Sequence, residues 1–357
     1  MPGQRIGAAV GARNVERLCR SAAQRGGTAS ATALSGIRSG ITSGGKKQHG
    51  SDDQGTRHPH RYPFVVNEGA PLVWRRGATR AGGASIVTFA AGSDEASAPV
   101  AVLVHGLGHW TDAAWGRLVP QLDPAWRYLA FDLPGFGASE KPDAPYDLPY
   151  FRSVLEEMIA SFGAERFALI GHSLGGLLAA DYAATHPGNV ARLALIAPAG
   201  FAPTPEHLLY ALTASSARWL FTRRPSRRFI AYTFKRSVAD PATLDPAIVD
   251  RAYAFAQESG LRKAFAGVYA GAIKMLVNPR PLQTRLASYD GPVFCAWGAH
   301  DRYIPVKGLR EVRRVYPQAR TLLLERSGHL PAIEEPALLG AALREFLDGE
   351  TSTSERH

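Results

Sequence analysis

Residues 166–176 read RFALIGHSLGG, a short apolar run that ends in a serine placed between glycines. The apolar residues are consecutive rather than alternating, which is typical of a strand covered on both of its faces. A helix-like stretch, 174–186, follows directly. The segment therefore predicts a buried strand, a sharp turn at Ser173 and a helix. By itself it leaves open whether Ser173 is a nucleophile or a small residue of a tight turn.

The same alternation of strand and helix extends over most of the chain. Five further apolar runs end at or near a glycine: PVAVLVHG (99–106), WRYLAFDLPG (126–135), RLALIAPAG (192–200), VFCAWGAHD (293–301) and ARTLLLERSGH (319–329). Further helix-like stretches cover 112–122, 148–162, 307–316 and 336–347, and ASIVTFAAG (84–92) reads as an initial antiparallel strand. This alternation predicts an α/β fold with a mostly parallel, doubly wound sheet.

The alternation stops between residues 200 and 287. Helix-like stretches rich in arginine and aromatic residues, such as 208–229 and 254–276, occupy this part of the chain, and no strand is evident. We therefore predict a helical cap inserted between two strands. The chain divides into a disordered basic arm (1–60), the first part of the α/β core (61–200), the cap (201–287), the second part of the core (288–348) and a flexible tail (349–357).

The net charge of +10 is unevenly distributed along the chain. Residues 1–50 contain eight Lys or Arg and one acidic residue, and residues 201–290 contain thirteen Lys or Arg and six acidic residues. The rest of the chain is net acidic. Neither basic segment shows zinc-finger spacing or the aromatic-rich strand of RNA-binding domains. We therefore expect a small-molecule substrate and no nucleic-acid partner.

The cysteines and the arm bear on where the protein acts. Only two cysteines are present, one in the polar arm and one in an apolar run, which argues against a disulfide framework and suits a reducing compartment. The longest apolar runs are too short to cross a bilayer. We expect a cytoplasmic protein. The alternative is a mitochondrial location, if the Arg- and Ser-rich arm is a transit peptide. The arm is equally consistent with a bacterial N-terminal extension or with a start codon placed too early.

Three chemically reactive side chains come just after three of the predicted strands: Ser173, Asp301 and His329. In an open parallel sheet the carboxyl ends of the strands lie at one edge, and ligands bind there. A hydroxyl, a carboxylate and an imidazole are therefore expected at the same edge, in the chain order Ser, Asp, His.

This chain order, with G-x-S-x-G between a strand and a helix, resembles the nucleophile elbow of the α/β-hydrolase fold. The resemblance covers nearly all of residues 84–348. Four further stretches are similar to landmarks of that family: His105-Gly106, DLPGFGAS (132–139), WGAHDRYIP (297–305) and SGHLPAIEEP (327–336). Each stretch by itself is weak evidence for the family. Their order and spacing together indicate a serine hydrolase of the esterase or lipase type with a helical cap.

The resemblance implies a role for each member of the site. Ser173 would attack the substrate, His329 would take and return the proton, and Asp301 would fix the imidazole tautomer. The backbone N–H groups of Leu107 and Leu174 would form the oxyanion hole. Some relatives place the acid after the preceding strand, but here APAGFAP (197–203) contains no carboxylate, which favours Asp301.

Three histidines lie near the expected site: His105, His172 and His300. We expect each to be a hydrogen-bonded neighbour rather than a proton carrier.

Three glycines complete the predicted site. Gly171 and Gly175 leave room for strand and helix to approach without Cβ clashes, and Gly106 belongs to the oxyanion loop. His58 and His60 have no accompanying ligand set, and no G-x-G-x-x-G follows a strand. We therefore expect neither a metal nor a cofactor.

The expected reaction is hydrolysis of a medium-sized carboxylic ester through an acyl-enzyme on Ser173. One rival is hydrolysis of a carbon–carbon bond in a dienoic keto acid, because WGAHDRYIP is similar to such enzymes too and a basic cap suits a carboxylate. Against it, His172 stands where those hydrolases often have Asn. Perhydrolysis with hydrogen peroxide is a second rival. A non-enzymatic ligand receptor on the same fold is the third, and the intact triad disfavours it.

The arginines of the cap allow two interpretations. In the first, Arg223, Arg224, Arg227 and Arg228 form a solvated helix face. In the second, the aromatic- and arginine-rich segment 218–229 docks on an anionic membrane surface or attracts acidic substrates. Because no clean amphipathic stripe is visible, the sequence favours the solvated face. It does not define the oligomeric state.

Overall fold

A computed structural model of the protein describes residues 72–349. The predicted arm (1–60), with its transit-peptide alternative, lies outside the described residues, as do residues 350–357 of the predicted tail. Within 72–349 the chain forms one sheet with helices packed on both of its faces.

An eight-stranded sheet forms the centre of the described chain. Its strands are β1 (Arg75–Ala81), β2 (Ala84–Gly92), β3 (Val100–Val104), β4 (Arg127–Phe131), β5 (Phe167–His172), β6 (Val190–Ile196), β7 (Val293–Gly298) and β8 (Arg320–Leu324). They lie in the order β1-β2-β4-β3-β5-β6-β7-β8. Strand β2 pairs antiparallel with β1 and β4, and all other pairs are parallel. The mostly parallel sheet predicted from the sequence is confirmed.

Strand β1 is the one strand of the sheet that the sequence pattern misses. Its residues, RRGATRA, alternate between partly buried and exposed, and the strand lies at an edge of the sheet. A search for continuous apolar runs detects strands that are covered on both faces. An edge strand of alternating polarity therefore escapes it.

Helices connect the strands. They are α1 (Thr111–Trp115), α2 (Leu148–Phe162), α3 (Leu174–Thr185), α4 (Pro205–Ser216), α5 (Arg227–Ser237), α6 (Pro246–Gln257), α7 (Ser259–Val277), α8 (Arg280–Leu286), α9 (Gly308–Val315), α10 (Pro331–Glu334) and α11 (Pro336–Asp348). The predicted helix 112–122 is shorter than expected: α1 is followed by a separate 3-10 turn, Val119–Gln121. Pro120 in that turn has no N–H with which to continue an α-helix.

Alternate residues of the central strands enter two different core layers. Val102 and Val104 of β3 belong to the apolar cluster that also contains residues of α2 and α3. Ala101 and Leu103 belong to the opposite cluster, with residues of α1 and α11. Because successive side chains of a strand point to opposite faces, a strand buried on both sides must be apolar at every position. This is the physical reason for the continuous apolar runs in the sequence.

Five helices, α4 to α8, lie between β6 and β7. The stretch 208–229, which the sequence pattern joins into one helix-like segment, is divided: α4 ends at Ser216, a 3-10 turn follows (Arg218–Thr222), and α5 begins after Ser226. The Ser226 side chain accepts a hydrogen bond from the backbone N–H of Phe229, which caps the new helix. The stretch 254–276 is likewise divided, between α6 and α7 at Glu258.

A third apolar cluster joins these helices to the sheet edge. It contains Trp110, which lies just before α1, Phe234 of α5, and Leu330 just before α10. Helix α5 is therefore packed against the loops that follow β3 and β8, which are the loops that contain the predicted site.

A buried carboxylate forms ion pairs that link three helices on one face of the sheet. Asp181 of α3 has no exposed surface, and it pairs with Arg152 of α2 and Arg285 of α8. The Arg152 Nε lies 2.6 Å from Asp181 Oδ2. A buried carboxylate is tolerated only when it is paired and hydrogen-bonded, so the two arginines are needed to hold Asp181 inside.

Arg152→Ala is expected to lower the free energy of unfolding by about 2 kcal/mol, because it removes one of the two cations that compensate a fully buried carboxylate. The matched control is Arg227→Ala, which breaks the exposed pair with Asp250 and should cost less than about 1 kcal/mol. Urea unfolding of both variants measures the difference. Equal losses would show that Asp181 does not depend on its arginines.

Candidate active site

Ser173 stands alone between β5 and α3 in a strained conformation. Its φ of 54° and ψ of −116° lie in a region that residues with a Cβ rarely adopt. Such a conformation costs on the order of 1–3 kcal/mol, and the surroundings must enforce it. The Ser173 N–H donates to Ile196 O (2.9 Å), and its carbonyl accepts from Ala199 N (2.9 Å). Strand β6 and the turn after it therefore hold the serine backbone in place.

The glycines around Ser173 mark very close backbone contacts. A Cβ built on Gly175 would lie 2.1 Å from the carbonyl oxygen of Val104, and one on Gly171 would lie 2.3 Å from the carbonyl oxygen of Gly175. A Cβ on Gly106 would lie 3.0 Å from Ser173 Cβ. Only glycine fits where α3 begins against the ends of β3 and β5.

The structure brings the three predicted reactive residues into one hydrogen-bonded chain. His329 Nε2 lies 3.0 Å from Ser173 Oγ, and His329 Nδ1 lies 2.7 Å from Asp301 Oδ2. An ionised carboxylate only accepts hydrogen bonds, so Nδ1 carries the proton and Nε2 is left to accept from the hydroxyl. All three residues are more than nine-tenths buried.

Asp301 is oriented by the loop after β7. Its second oxygen, Oδ1, accepts hydrogen bonds from the backbone N–H groups of Tyr303 and Ile304, both at 2.8 Å. With Oδ1 occupied in this way, Oδ2 faces the imidazole. The sequence motif WGAHDRYIP thus supplies the carboxylate and also the backbone groups that aim it.

The loop after β8 holds His329 through two glutamates. Glu334 accepts from the backbone N–H of Gly328 (2.7 Å), and Glu335 accepts from the Ser327 hydroxyl (2.7 Å). Burial raises the pKa of Glu334. The backbone N–H of His329 donates to the carbonyl of Ser237, the last residue of α5 (2.6 Å). The histidine is therefore fixed from both its own loop and the inserted helices.

Two backbone N–H groups are available beside Ser173. Leu174 is the first residue of α3, so its N–H has no acceptor within the helix. The N–H of Leu107 likewise donates to no other group among residues 72–349. His105 fixes the Leu107 loop: its Nδ1 donates to Gly106 O (2.8 Å) and its Nε2 accepts from Leu133 N (2.9 Å). The geometry thus leaves the two predicted oxyanion donors without a partner in this part of the chain.

Three further buried imidazoles surround His329. His172 Nε2 donates to the carbonyl of His329 (2.8 Å), and the His109 ring lies 5.9 Å from the His172 ring. Burial lowers the pKa of His105 and of His172, and it lowers the pKa of His109 to about 3. All three rings are therefore neutral near pH 7.

The sequence pattern anticipated part of this histidine group. It marked His105, His172 and His300 as hydrogen-bonded neighbours of the site. His105 and His172 have these bonds, whereas His300 is exposed and uses its backbone N–H to donate to Ser327 O. His109 was missed, because nothing in its local spacing distinguishes it from a surface histidine. No group of three His, Cys, Asp or Glu side chains that could hold a metal occurs among residues 72–349.

Comparisons with known proteins identify the family to which the fold belongs. A family model described as the alpha/beta hydrolase fold matches residues 99–336. The pimeloyl-[acyl-carrier protein] methyl ester esterase of Edwardsiella ictaluri is 30% identical over 257 residues, which are 70% of this chain and 93% of the esterase.

Two solved structures are similar over about three quarters of the chain. A membrane phospholipase A, described as a bacterial virulence factor, is 28% identical with a TM-score of 0.63, and the match covers 77% of this chain and 86% of that one. The 2-hydroxy-6-oxo-6-phenylhexa-2,4-dienoate hydrolase of Rhodococcus sp. strain RHA1 has a TM-score of 0.66 at 21% identity, over 78% of this chain and 100% of that one. The latter likeness concerns the fold alone.

Gly175→Ala is expected to destabilise the protein by about 3 kcal/mol, since its Cβ would overlap the Val104 carbonyl at the most crowded point of the elbow. In thermal unfolding this corresponds to a loss of roughly 6–12 °C. Gly188→Ala is the matched control, because a Cβ at Gly188 meets no atom within 4 Å. Similar melting temperatures for the two variants would contradict the close contact.

The neutral histidines predict a loss of stability in acid. The unfolded chain takes up protons near pH 6.5 at His105, His109 and His172, whereas the folded protein resists protonation there. Stability is therefore present above pH 6.5 and falls below it, by up to about 1.4 kcal/mol per pH unit for each histidine. Urea unfolding at about pH 7 and pH 5.5 should show a smaller pH dependence for His109→Gln than for the exposed-site control His300→Gln. An unchanged slope in His109→Gln would contradict the assignment.

Proposed function

Because the chain belongs to the alpha/beta hydrolase fold family, we propose that it hydrolyses carboxylic esters through an acyl-enzyme on Ser173. One observation supports this most directly: the continuous chain of hydrogen bonds from Ser173 Oγ through the His329 ring to Asp301. A serine hydroxyl is a weak nucleophile, and a base within 3.0 Å that is itself held by a carboxylate supplies the missing activation.

In the proposed acylation step, Ser173 Oγ attacks the ester carbonyl and its proton moves to His329 Nε2. The resulting imidazolium is stabilised by Asp301, and the negative oxygen accepts from the N–H groups of Leu107 and Leu174. Collapse of the tetrahedral intermediate breaks the bond to the alcohol, which leaves with the proton from His329. Water then repeats the sequence on the acyl-enzyme, releasing the acid and restoring Ser173.

The inserted helices support an apolar substrate. Phe265 of α7 packs so closely on the loop after β3 that a Cβ on Gly108 would lie 2.7 Å from its Cζ. The same ring forms an edge contact with Phe136 at 5.7 Å. We assign Phe265 to the wall next to the Leu107 donor, where it would contact the acyl group of a medium-sized ester.

Two observations favour esters over dienoic keto acids. The rival reaction needs a cation near the substrate carboxylate, but five arginines of the basic cap are exposed at the protein surface: Arg218, Arg223, Arg224, Arg227 and Arg228. The partly buried Arg236 already lies over the Tyr303 ring, 5.5 Å from the ring centre, and donates to Arg302 O (3.3 Å). The esterase of Edwardsiella ictaluri, which is 30% identical, is an ester hydrolase by name, whereas the dienoate hydrolase, at 21% identity, is similar in fold alone.

The test is turnover of a p-nitrophenyl ester series from acetate to palmitate. Ser173→Ala should lower kcat/KM by at least ~10³-fold, because it removes the nucleophile and leaves only substrate binding and the oxyanion donors. Ser161→Ala is the matched control: its hydroxyl donates to Met158 O on α2, away from the site. The preferred chain length in the wild type would give the size of the acyl pocket.

Either of two results would contradict the proposal: a wild type that turns over no ester, or a Ser173→Ala variant that keeps its activity. Dienoic keto acids, acceptance of the acyl group by hydrogen peroxide, and tight binding without turnover would then be measured on the same pair of proteins. Each of these corresponds to one of the rival functions.

A further inference from the structure

Exposed hydrophobic side chains are concentrated on one part of the inserted helices. Of the eleven large hydrophobic side chains that are exposed within residues 72–349, seven lie between residues 209 and 232. They are Leu209, Tyr210, Leu212, Trp219, Leu220, Phe229 and Tyr232, with exposed fractions from 41% to 60%. We refer to these seven residues as the aromatic face. Single exposed hydrophobic residues are ordinary, but such a group marks an interaction surface.

The segment that contains the aromatic face is strongly basic. Residues 207–239 contain seven Lys or Arg and no Asp or Glu. Arg218, Arg224 and Arg228 are exposed and form no salt bridge with another residue of 72–349. The Arg223 guanidinium lies 4.9 Å from the centre of the Trp219 ring, which places charge and aromatic surface side by side. A surface with this composition is suited to an anionic partner.

Two partly buried tyrosines contact the separate segments of the aromatic face. Tyr269 of α7 contacts Tyr210 of α4 (5.4 Å between ring centres) and Phe221 of the 3-10 turn (6.2 Å). Tyr303 donates from its hydroxyl to Thr233 O of α5 (3.0 Å). Burial raises the pKa of Tyr303 to about 12, and the nearby hydroxyls of Tyr210 and Tyr232 add to the effect. Helix α4 and the 3-10 turn thus meet at Tyr269, and α5 is hydrogen-bonded to Tyr303.

The same contacts place the aromatic face beside the candidate active site. The Tyr303 ring lies 5.7 Å from the His329 ring. Helix α5, which contains Phe229 and Tyr232, ends at the carbonyl that accepts from His329 N. A ligand held on this face would therefore lie near the triad.

We propose that the aromatic face docks the protein on the surface of an anionic lipid bilayer. Tryptophan and tyrosine partition into the interfacial region of a bilayer, and arginine binds its anionic headgroups. A second copy of the chain is disfavoured as the partner, because pairing would bring two net basic surfaces together. No helix among residues 72–349 has the length and apolarity needed to cross a membrane, so the contact is peripheral. This inference is independent of the proposed ester chemistry.

The test is co-sedimentation of the full chain with vesicles of phosphatidylcholine, alone or with about one third phosphatidylglycerol. All variants are made in a Ser173→Ala background, so that no lipid is hydrolysed. We expect binding to the anionic vesicles, and we expect it to weaken at about 1 M NaCl, where the Debye length falls to about 3 Å.

Two double variants separate the charged and the aromatic contributions. Arg224→Gln with Arg228→Gln should lower the partition coefficient on anionic vesicles by roughly 25-fold, since each arginine near such a surface contributes about five-fold. Trp219→Ser with Phe229→Ser should lower it by about ten-fold or more. The matched controls are Arg310→Gln and Leu338→Ser, at exposed positions elsewhere, and neither should change binding.

Three results would overturn the proposal. The protein could fail to bind anionic vesicles. It could bind while the double variants bind as well as the controls, which would assign the binding to another basic segment such as residues 1–50. Finally, sedimentation without lipid could show a dimer that Trp219→Ser with Phe229→Ser dissociates, which would make a second copy the partner. Circular dichroism of each double variant, compared with its control, separates loss of binding from loss of folding.

Discussion

The close approach of the start of α3 to the ends of β3 and β5 is the constraint on which the rest of the site depends. With no Cβ at Gly171 or Gly175, the helix begins in contact with the strand backbones. Ser173 is then forced into a left-handed conformation, which the hydrogen bonds to β6 maintain. The strain is thus balanced by sheet packing, and it turns the hydroxyl towards His329 and the first N–H of the helix.

The electrostatic setting of the triad follows from burial. Three imidazoles near His329 are kept neutral because removing a cation from water is unfavourable in a packed interior. They still act as hydrogen-bonding groups: His105 orders the loop with the Leu107 donor, and His172 holds the backbone of His329. Among residues 72–349, Asp301 is the only carboxylate that is hydrogen-bonded to the His329 ring.

The inserted helices have two roles that meet at α5. One side of this helix is buried, with Phe234 in the apolar cluster that covers the site loops and Ser237 bonded to His329. The other side exposes Phe229 and Tyr232 among arginines. If the exposed side binds a bilayer, the same helix links the bilayer contact to the backbone of His329. Substrate access and the alignment of His329 would then depend on one element.

The sequence by itself determined the sheet, most of its helices and the order Ser173, Asp301, His329, because these features rest on local periodicity and on rules for where strands end. The sequence pattern missed the edge strand β1, because its residues alternate between partly buried and exposed positions and form no continuous apolar run. The neutral environment of His109, the glutamate bonds that hold the loop after β8, and the exposed aromatic face arise from residues far apart in the chain. Only the tertiary structure could decide them, since burial and hydrogen-bond partners are properties of the packed chain and not of any local spacing.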